Sequence, residues 1–261
     1  MIALANRLNP TPRADALAPD QRYERKFYLP PDAIAFAAHL LAHCCPPDPR
    51  YPRGRIRSVY YDTPDLDHYQ ESEDGSRTRQ KVRLRWYGNP NPPVENVQVF
   101  VELKSRSGFA GSKQRKPHAV PASRLAPAAL RDGLLPYTRL LQTLAEFDCT
   151  PLTMLHPTLL ISYQRLRFVE PLTGSRVSLD WNIHSTLLAP ALARGEHPLR
   201  MDGGVIEIKG RSEDLPETLR SLRLLDTDWS RYSKYATCMQ SQLEAPGAVG
   251  RTTPSGRCQT Y

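Results

Sequence analysis

Three segments of this chain place a glutamate two positions before a lysine within a strand-like run. They are Glu24-Arg25-Lys26, Glu102-Leu103-Lys104 and Glu207-Ile208-Lys209. Because the side chains of a β-strand alternate between its two faces, the carboxylate and the ammonium of each segment point to the same side. A soluble sheet normally turns an apolar face to the core, so these segments predict a sheet whose interior is ionic.

A fourth strand-like segment, residues 81–85, carries only cations on one face. Lys81, Arg83 and Arg85 alternate there with two aliphatic residues. The same spacing occurs in three further pairs: Arg55 and Arg57, Arg77 and Arg79, and Arg165 and Arg167. For one strand alone, a solvated basic face over an ordinary apolar core explains the pattern equally well. The repetition favours a closed or cupped basic surface, which suits phosphate because the guanidinium fork matches phosphate oxygens.

The order of the predicted elements favours an α+β fold built on an antiparallel sheet. Strand patterns occupy residues 23–28, 55–64, 77–87, 97–104, 159–169, 176–183 and 205–209, and helical patterns occupy 32–45, 122–146, 213–225 and 232–243. The strand–helix alternation of a doubly wound parallel sheet is missing. We predict an antiparallel barrel or tunnel with helices packed outside, one domain over 21–243, and patternless tails at 1–20 and 244–261.

The charge balance predicts an anionic partner. The net charge is +8 over 261 residues, which favours phosphate compounds, nucleic acid or a membrane surface. Nucleic acid is not expected, because helix-turn-helix, zinc-finger and RNP1 patterns are missing, although Trp86, Tyr87 and Phe100 could stack bases. Five cysteines without metal-site spacing, and no signal peptide or membrane-length apolar run, predict a cytoplasmic protein with reduced thiols.

Glu24, Glu102 and Glu207 are the candidate metal ligands. Carboxylate oxygens suit Mg²⁺ or Mn²⁺, and phosphate oxygens of a substrate would complete the coordination shell. Each glutamate could instead be the cross-strand partner of a neighbouring lysine. The sequence contains no P-loop, no Gly-x-Gly-x-x-Gly and no Gly-x-Ser-x-Gly, so neither a glycine-rich phosphate loop nor a serine nucleophile is predicted.

Eight short motifs follow one another between about residues 22 and 240. They are Arg22-Tyr23-Glu24-Arg25-Lys26-Phe27, Ser58-Val59-Tyr60-Tyr61-Asp62-Thr63-Pro64, Lys81-Val82-Arg83-Leu84-Arg85-Trp86-Tyr87-Gly88, Val101-Glu102-Leu103-Lys104, Ser162-Tyr163-Gln164-Arg165, Arg176-Val177-Ser178-Leu179-Asp180, Val205-Ile206-Glu207-Ile208-Lys209 and Tyr232-Ser233-Lys234-Tyr235. The ordered set resembles the VTC domain, the catalytic domain of the vacuolar transporter chaperone polyphosphate polymerase. That family belongs to the triphosphate tunnel metalloenzymes, which are related to CYTH domains.

The resemblance implies a tunnel of about eight antiparallel strands. Inside it, the γ-phosphate of ATP would be transferred to a growing polyphosphate chain with Mn²⁺ or Mg²⁺, so ATP and polyphosphate are the expected partners. The implied catalytic cations are Lys26, Arg83, Arg85, Lys104, Arg165, Arg176 and Lys234. Further substrate contacts are expected from Lys81, Lys113, Lys116, Tyr163 and Lys209, with either Lys113 or Lys116 entering the tunnel. Glu207 is the implied metal ligand, which Glu24 or Glu102 would assist.

One departure from the wider group favours the polymerase. The first strand has a single carboxylate before its lysine, whereas CYTH enzymes typically carry Glu-x-Glu-x-Lys. Two other functions stay open: a tunnel triphosphatase that hydrolyses inorganic or nucleoside triphosphate, and a non-catalytic polyphosphate or nucleic-acid binder. The short stretch before the first strand predicts a stand-alone catalytic domain of bacterial type, so membrane association would require a separate membrane partner.

Overall fold

A computed structural model describes residues 23–88, 95–108, 110–192, 198–225 and 232–245. Its strands are β1 (Tyr23–Leu29), β2 (Arg53–Asp62), β3 (Thr78–Tyr87), β4 (Asn96–Ser107), β5 (Ala110–Pro121), β6 (His156–Val169), β7 (Arg176–Leu187) and β8 (Leu199–Gly210). Its α-helices are α1 (Ala33–Cys44), α2 (Asp67–Glu73), α3 (Pro127–Leu130), α4 (Tyr137–Ala145) and α5 (Lys234–Glu244). The tail predicted at 1–20, and all but two residues of that predicted at 244–261, lie outside the described residues.

The eight strands form one antiparallel sheet, which confirms the predicted α+β class. Their order across the sheet is β1-β8-β7-β6-β2-β3-β4-β5, and every neighbouring pair is antiparallel. Within the described residues β1 and β5 do not pair, so the sheet is not the closed barrel that the sequence predicts. Strand β5 contains Pro117 and Pro121, and proline removes a backbone donor, which suits a strand at a free edge.

The sheet nevertheless curls until its two sides meet through side chains. A flat sheet would hold β1 and β4 six strand spacings apart, roughly 29 Å. Instead, Lys104 Nζ of β4 lies 3.1 Å from Glu24 Oε2 of β1. The face that carries these two side chains is therefore concave, and we call it the interior face.

Apolar cores cover the outside of the curled sheet. On one side α3 and α4 pack against the outward residues of β3 and β4, which include Val82, Leu84 and Val101. On the other side α1 and the 3-10 helix Glu217–Leu225 pack against outward residues of β1, β7 and β8. The helices thus lie outside as predicted, because period-two alternation sends apolar side chains outward and charged ones inward.

Helix α5, by contrast, packs against the interior face. Tyr235, Cys238 and Met239 contact inward apolar residues of β2, β6, β7 and β8, so α5 fills one end of the concavity. Ser233 caps its first turn by accepting a hydrogen bond from the amide of Ala236. The cap fixes the start of the helix at Lys234, which is directed into the charged part of the interior.

The middle of the chain is less regular than predicted. The single helix expected over 122–146 is divided into the 3-10 helix Ala122–Leu125, α3 and α4. Gly133 separates the two α-helices with a φ of 86°, and a Cβ there would approach Tyr61 Oη to 3.0 Å. The helix expected over 213–225 is instead the shorter 3-10 helix Glu217–Leu225. None of the helices in the described residues is long and apolar enough to cross a membrane.

Candidate active site

The interior face brings together ten cations and four carboxylates of the described residues. The cations are Lys26, Lys81, Arg83, Arg85, Lys104, Lys113, Arg115, Arg165, Lys209 and Lys234, and the carboxylates are Glu24, Glu102, Asp180 and Glu207. They come from seven strands, all but β2, and from the first residue of α5. The excess of positive charge suits this face to contact with an anion that carries several charges.

Glu102 on β4 organises the cations of β3 and β5. One of its oxygens lies 2.7 Å from Arg83 Nη2, and the other lies 2.9 Å from Lys113 Nζ and 3.4 Å from Arg115 Nε. Burial opposes the ionisation of Glu102, but Arg83, Arg85 and Lys113 outweigh it and hold its pKa well below the ordinary value. Burial and the nearby arginines lower the pKa of Lys113 to about 8, although Glu102 counteracts them.

Asp180 and Glu207 form a second, more buried cluster with Arg165 and Lys234. Asp180 accepts hydrogen bonds from Arg165 Nε at 2.5 Å and Nη2 at 2.6 Å, and it lies 2.7 Å from Lys234 Nζ. Glu207 accepts from Lys234 Nζ at 2.8 Å and from Arg165 Nη2 at 3.2 Å. Burial opposes the charged forms, but the opposite charges outweigh it. Lys234 and Arg165 lower the pKa of Glu207, and Asp180 and Glu207 raise the pKa values of Lys234 and Arg165.

Glu24 on β1 connects three lysines at the place where the sheet comes together. Its oxygens lie 3.1 Å from Lys104 Nζ and 3.6 Å from the ammonium groups of Lys26 and Lys209. Burial raises the pKa of Glu24, but the three ammonium groups outweigh it and lower the pKa to about 2. The carboxylate is therefore ionised throughout the neutral range, and it limits the repulsion among the lysines.

Two lysines of the interior contact the segment that begins α5. Lys26 Nζ donates to the backbone carbonyl of Tyr232 at 3.0 Å, and Lys81 Nζ donates to Ser233 Oγ at 2.9 Å. Burial lowers the pKa of Lys81, and repulsion from Lys26 and Lys104 lowers it further, to about 7. Lys81 is therefore only half protonated near neutral pH. A bound anion would favour the protonated form and so increase the fraction of Lys81 that is charged.

Hydroxyl groups position the arginines of β3. Arg83 Nη1 donates to Tyr60 Oη at 2.9 Å, and Arg85 Nε donates to Ser58 Oγ at 2.9 Å. Arg85 Nη2 also lies 3.3 Å from Tyr163 Oη, and Lys234 Nζ is 5.2 Å from the centre of the Tyr163 ring. Neutral partners orient a guanidinium without neutralising it, so the charge of Arg85 remains free to attract an anion.

Most of the predicted site residues thus converge, and two do not. Lys113 is on the interior face, whereas Lys116 is three residues further along β5, on the outer face, where its Nζ lies 2.5 Å from Glu146, the residue just after α4. The structure therefore decides between these two lysines for the interior. Arg176 shares the face of Ser178 by alternation, but it lies at the exposed start of β7.

The predicted basic pairs also divide between the two faces. Arg165 is interior, but Arg57 alternates with Ser58 on β2 and donates to the carbonyl of Gly88 instead. Arg55 and Arg57 thus lie on the face opposite the cluster, which differs from the expectation that all the basic faces converge.

Sequence reasoning missed Asp180, Arg115, Ser58 and Tyr60 as site residues. Asp180 has no lysine two positions away, but an acidic residue between Leu179 and Trp181 in a strand is itself a signal of an ionic partner. Arg115 is two positions from Lys113 and follows the same alternation as the other cations. The two hydroxyl residues carry no distinctive signal, because β-strands commonly contain serine and tyrosine.

The carboxylates suit a divalent cation whose coordination shell a substrate would complete. In the part of the chain that the structure describes, no three acidic, histidine or cysteine side chains form a ready metal cage. Glu24 and Glu207, however, both approach Lys209 Nζ, at 3.6 and 3.7 Å, so these two carboxylates lie on the same side of the interior. Mg²⁺ is commonly held by one or two carboxylates plus phosphate oxygens, so Glu207 and Glu24 are the suitable pair.

Comparisons with known proteins find a local sequence match and similar solved structures. A 62-residue stretch, 23% of this chain, is 40% identical to the vacuolar transporter chaperone complex subunit 4 of Schizosaccharomyces pombe, and it covers 8% of that protein. Among solved structures, a candidate adenylate cyclase from Bacillus halodurans is 16% identical. The match covers 81% of this chain and 93% of that one, with a TM-score of 0.49. A candidate adenylyl cyclase from Hippeastrum, described as having a dominant triphosphatase activity, is also 16% identical. That match covers 85% of this chain and 96% of the Hippeastrum chain, with a TM-score of 0.43.

One comparison covers most of the chain. The model of the VTC domain family matches residues 21–243. This match extends over all eight strands and over the residues of both carboxylate clusters. The chain therefore belongs to the VTC domain family.

Proposed function

We propose that this chain is a polyphosphate polymerase that transfers the γ-phosphate of ATP to a growing inorganic polyphosphate chain. The observation that carries the proposal is the convergence of ten cations, with four carboxylates, on one concave face. Membership of the VTC domain family and the local identity to a vacuolar transporter chaperone subunit support the same function.

In this proposal the phosphates take up the charge that the carboxylates leave unbalanced. The γ- and β-phosphates would lie against Arg83 and Arg85, because both guanidinium groups face the interior and are oriented by hydroxyl groups. Arg165 and Lys234 would bind from the opposite wall, since they reach the interior from β6 and α5. Lys26, Lys81, Lys104, Lys113 and Lys209 would contact the remaining phosphoryl groups, with Arg176 at the rim.

The transfer itself requires little acid–base chemistry. A terminal oxygen of polyphosphate forms a bond to the γ-phosphorus, while the bond from the γ-phosphorus to the β,γ-bridging oxygen breaks and its electron pair leaves with ADP. The nucleophile is already an anion, so catalysis consists of positioning and charge neutralisation. A bound Mg²⁺ or Mn²⁺ would neutralise charge on the transferred group, and Glu207 with Glu24 would hold it.

The cellular setting of the reaction is part of the proposal. The fission yeast relative is named as a subunit of a complex, and the matched stretch is a small fraction of it. We expect this chain to work on the cytoplasmic side. Delivery of polyphosphate across a membrane would then depend on a separate partner.

The direct test is incubation of the purified protein with ATP and Mn²⁺, followed by separation of the products on a polyphosphate gel. A ladder of long chains together with ADP is expected. Orthophosphate without a ladder would instead identify a tunnel triphosphatase, and intact ATP that is nonetheless bound would identify a non-catalytic binder.

A matched pair of variants tests the metal ligand. Glu207→Gln should lose metal-dependent turnover, because the amide cannot supply the charge that a divalent ion requires. Glu146→Gln is the control, since Glu146 is exposed and pairs with Lys116 on the outer face. Near-normal activity of Glu207→Gln would remove this glutamate from the mechanism.

A further inference from the structure

A cation–aromatic cluster lies beside the phosphate-binding cations and has no part in the transfer described above. The guanidinium carbon of Arg115 is 3.4 Å from the centre of the Phe100 ring and 5.5 Å from that of Tyr87. The two rings meet edge to face, with their centres 5.9 Å apart, and Arg115 Nη2 lies 3.3 Å from Tyr87 Oη. The three side chains therefore support one another in a defined arrangement.

The cluster is on the interior face, beside and beyond Arg85, towards the end of the sheet that α5 does not fill. Phe100 is directly opposed to Arg85 across β3 and β4, and Tyr87 follows Arg85 by two residues, so both share its face. Two residues of a strand span about 7 Å. Arg115 also lies 3.4 Å from Glu102, which connects the cluster directly to the phosphate-binding cations.

The cluster is open to solvent although its supports are fixed. Tyr87 is 41% exposed, and the side chain of Arg115 is 37% exposed. The backbone just after Tyr87 is held because Gly88 N donates to the Arg55 carbonyl at 2.9 Å and the Gly88 carbonyl accepts from Arg57. A planar ligand could thus reach the guanidinium and the tyrosine ring without displacing the core.

We propose that Tyr87, Phe100 and Arg115 form the binding site for the nucleobase of ATP. This inference depends on the proposed function, since it assigns the part of the substrate that lies beyond the phosphates. A base gains free energy by stacking on an aromatic ring or on the plane of an arginine. The separation of about 7 Å from Arg85 suits a nucleotide whose phosphates lie on the cations. If Arg115 only bound a phosphate, the two aromatic rings beside it would have no role in that contact.

The test compares ATP with inorganic tripolyphosphate, which has the phosphates and lacks the base. Dissociation constants are measured by calorimetry in EDTA, so that no turnover occurs. Tyr87→Ala should weaken ATP binding about tenfold and leave tripolyphosphate within about twofold, because stacking on a base is lost. Tyr87→Phe keeps the ring and should bind ATP as the unaltered protein does. Arg115→Lys, which keeps the charge and loses the plane, should weaken ATP more than tripolyphosphate.

Phe36→Ala is the control, because Phe36 is an exposed aromatic residue on α1, outside the interior face. If Tyr87→Ala weakens both ligands equally, or neither, the nucleobase site is wrong even though the phosphate site stands. If the unaltered protein binds neither ATP nor tripolyphosphate, the proposed function itself fails, and the two failures are thereby distinguished.

Discussion

Replacement of Asp180 by asparagine should destabilise the empty protein and strengthen its binding of phosphate. Asp180 is fully buried, and both its oxygens are engaged, by Arg165 at 2.5 and 2.6 Å and by Lys234 at 2.7 Å. Asparagine keeps the shape and removes the charge, which leaves two buried cations to share Glu207. Removing one partner of a buried ion pair typically costs about 3–5 kcal/mol of unfolding free energy.

Loss of the Asp180 charge should also strengthen the binding of an anion. An anion that enters the interior supplies the negative charge that Asp180→Asn removes, so the variant should bind tripolyphosphate more tightly than the unaltered protein. A ligand present at about 100 times its Kd adds about 2.7 kcal/mol to the stability, which would recover more than half of the loss. The prediction thus couples a loss of stability to a gain of affinity.

Urea denaturation at pH 7 and constant ionic strength, with and without tripolyphosphate, measures both effects. Calorimetry supplies the Kd independently. Glu146→Gln is the matched control, because its exposed pair with Lys116 should contribute no more than about 1 kcal/mol. The reasoning is refuted if Asp180→Asn is as stable as this control, or if it binds tripolyphosphate more weakly than the unaltered protein.

Two further predictions concern the lysines. Lys113→Met should weaken tripolyphosphate binding about tenfold, since a hydrogen bond to a charged group is lost, while Lys116→Met on the outer face should leave the Kd unchanged in calorimetry. If both variants changed the Kd equally, the assignment of Lys113 to the interior face and Lys116 to the outer face would be wrong. Burial and the charges of Lys26 and Lys104 lower the pKa of Lys81 to about 7, so the free protein loses this charge as the pH rises from 6.5 to 8.5. Tripolyphosphate affinity should fall over that range, and Lys81→Met should flatten the fall. The ligand's own ionisation is common to both proteins, so parallel pH profiles would contradict the assignment. The unfolded chain binds more protons than the folded one between pH 7 and the ordinary lysine pKa, so this group makes the empty protein more stable as the pH rises.

The alternation of side chains made much of the site predictable. Glu24, Glu102 and Glu207 and their lysines lie on one face because each pair is two residues apart in a strand. The same rule distinguishes Lys113 from Lys116, once β5 is recognised as a strand. The sequence left that choice open because no strand was predicted there.

The elements that escaped prediction have weak local signals. Strand β5 carries charged or polar residues on both faces and contains two prolines, so it lacks the apolar period of a half-buried strand. It is held instead by its full ladder with β4. The contact between Lys104 and Glu24, which shows the curl of the sheet, joins residues 80 positions apart, and no local pattern specifies such a pairing.

The carboxylates of the interior explain how so basic a face can fold before its ligand arrives. Ten like charges on one face would repel one another. Burial lowers the pKa values of Lys26, Lys81 and Lys113, and repulsion from neighbouring cations lowers them further, although Glu24 and Glu102 counteract this at Lys26 and Lys113. The pKa values of Arg165 and Lys234 are raised instead, because Asp180 and Glu207 lie within 2.5 to 3.2 Å of them. The interior thus contains cations whose carboxylate partners outweigh burial and repulsion, and cations whose partners do not. A polyphosphate would gain most from the second group, whose members Lys81 and Lys113 lie on β3 and β5, on either side of β4. Phosphate binding should therefore raise stability mainly by compensating the positive charge of these lysines.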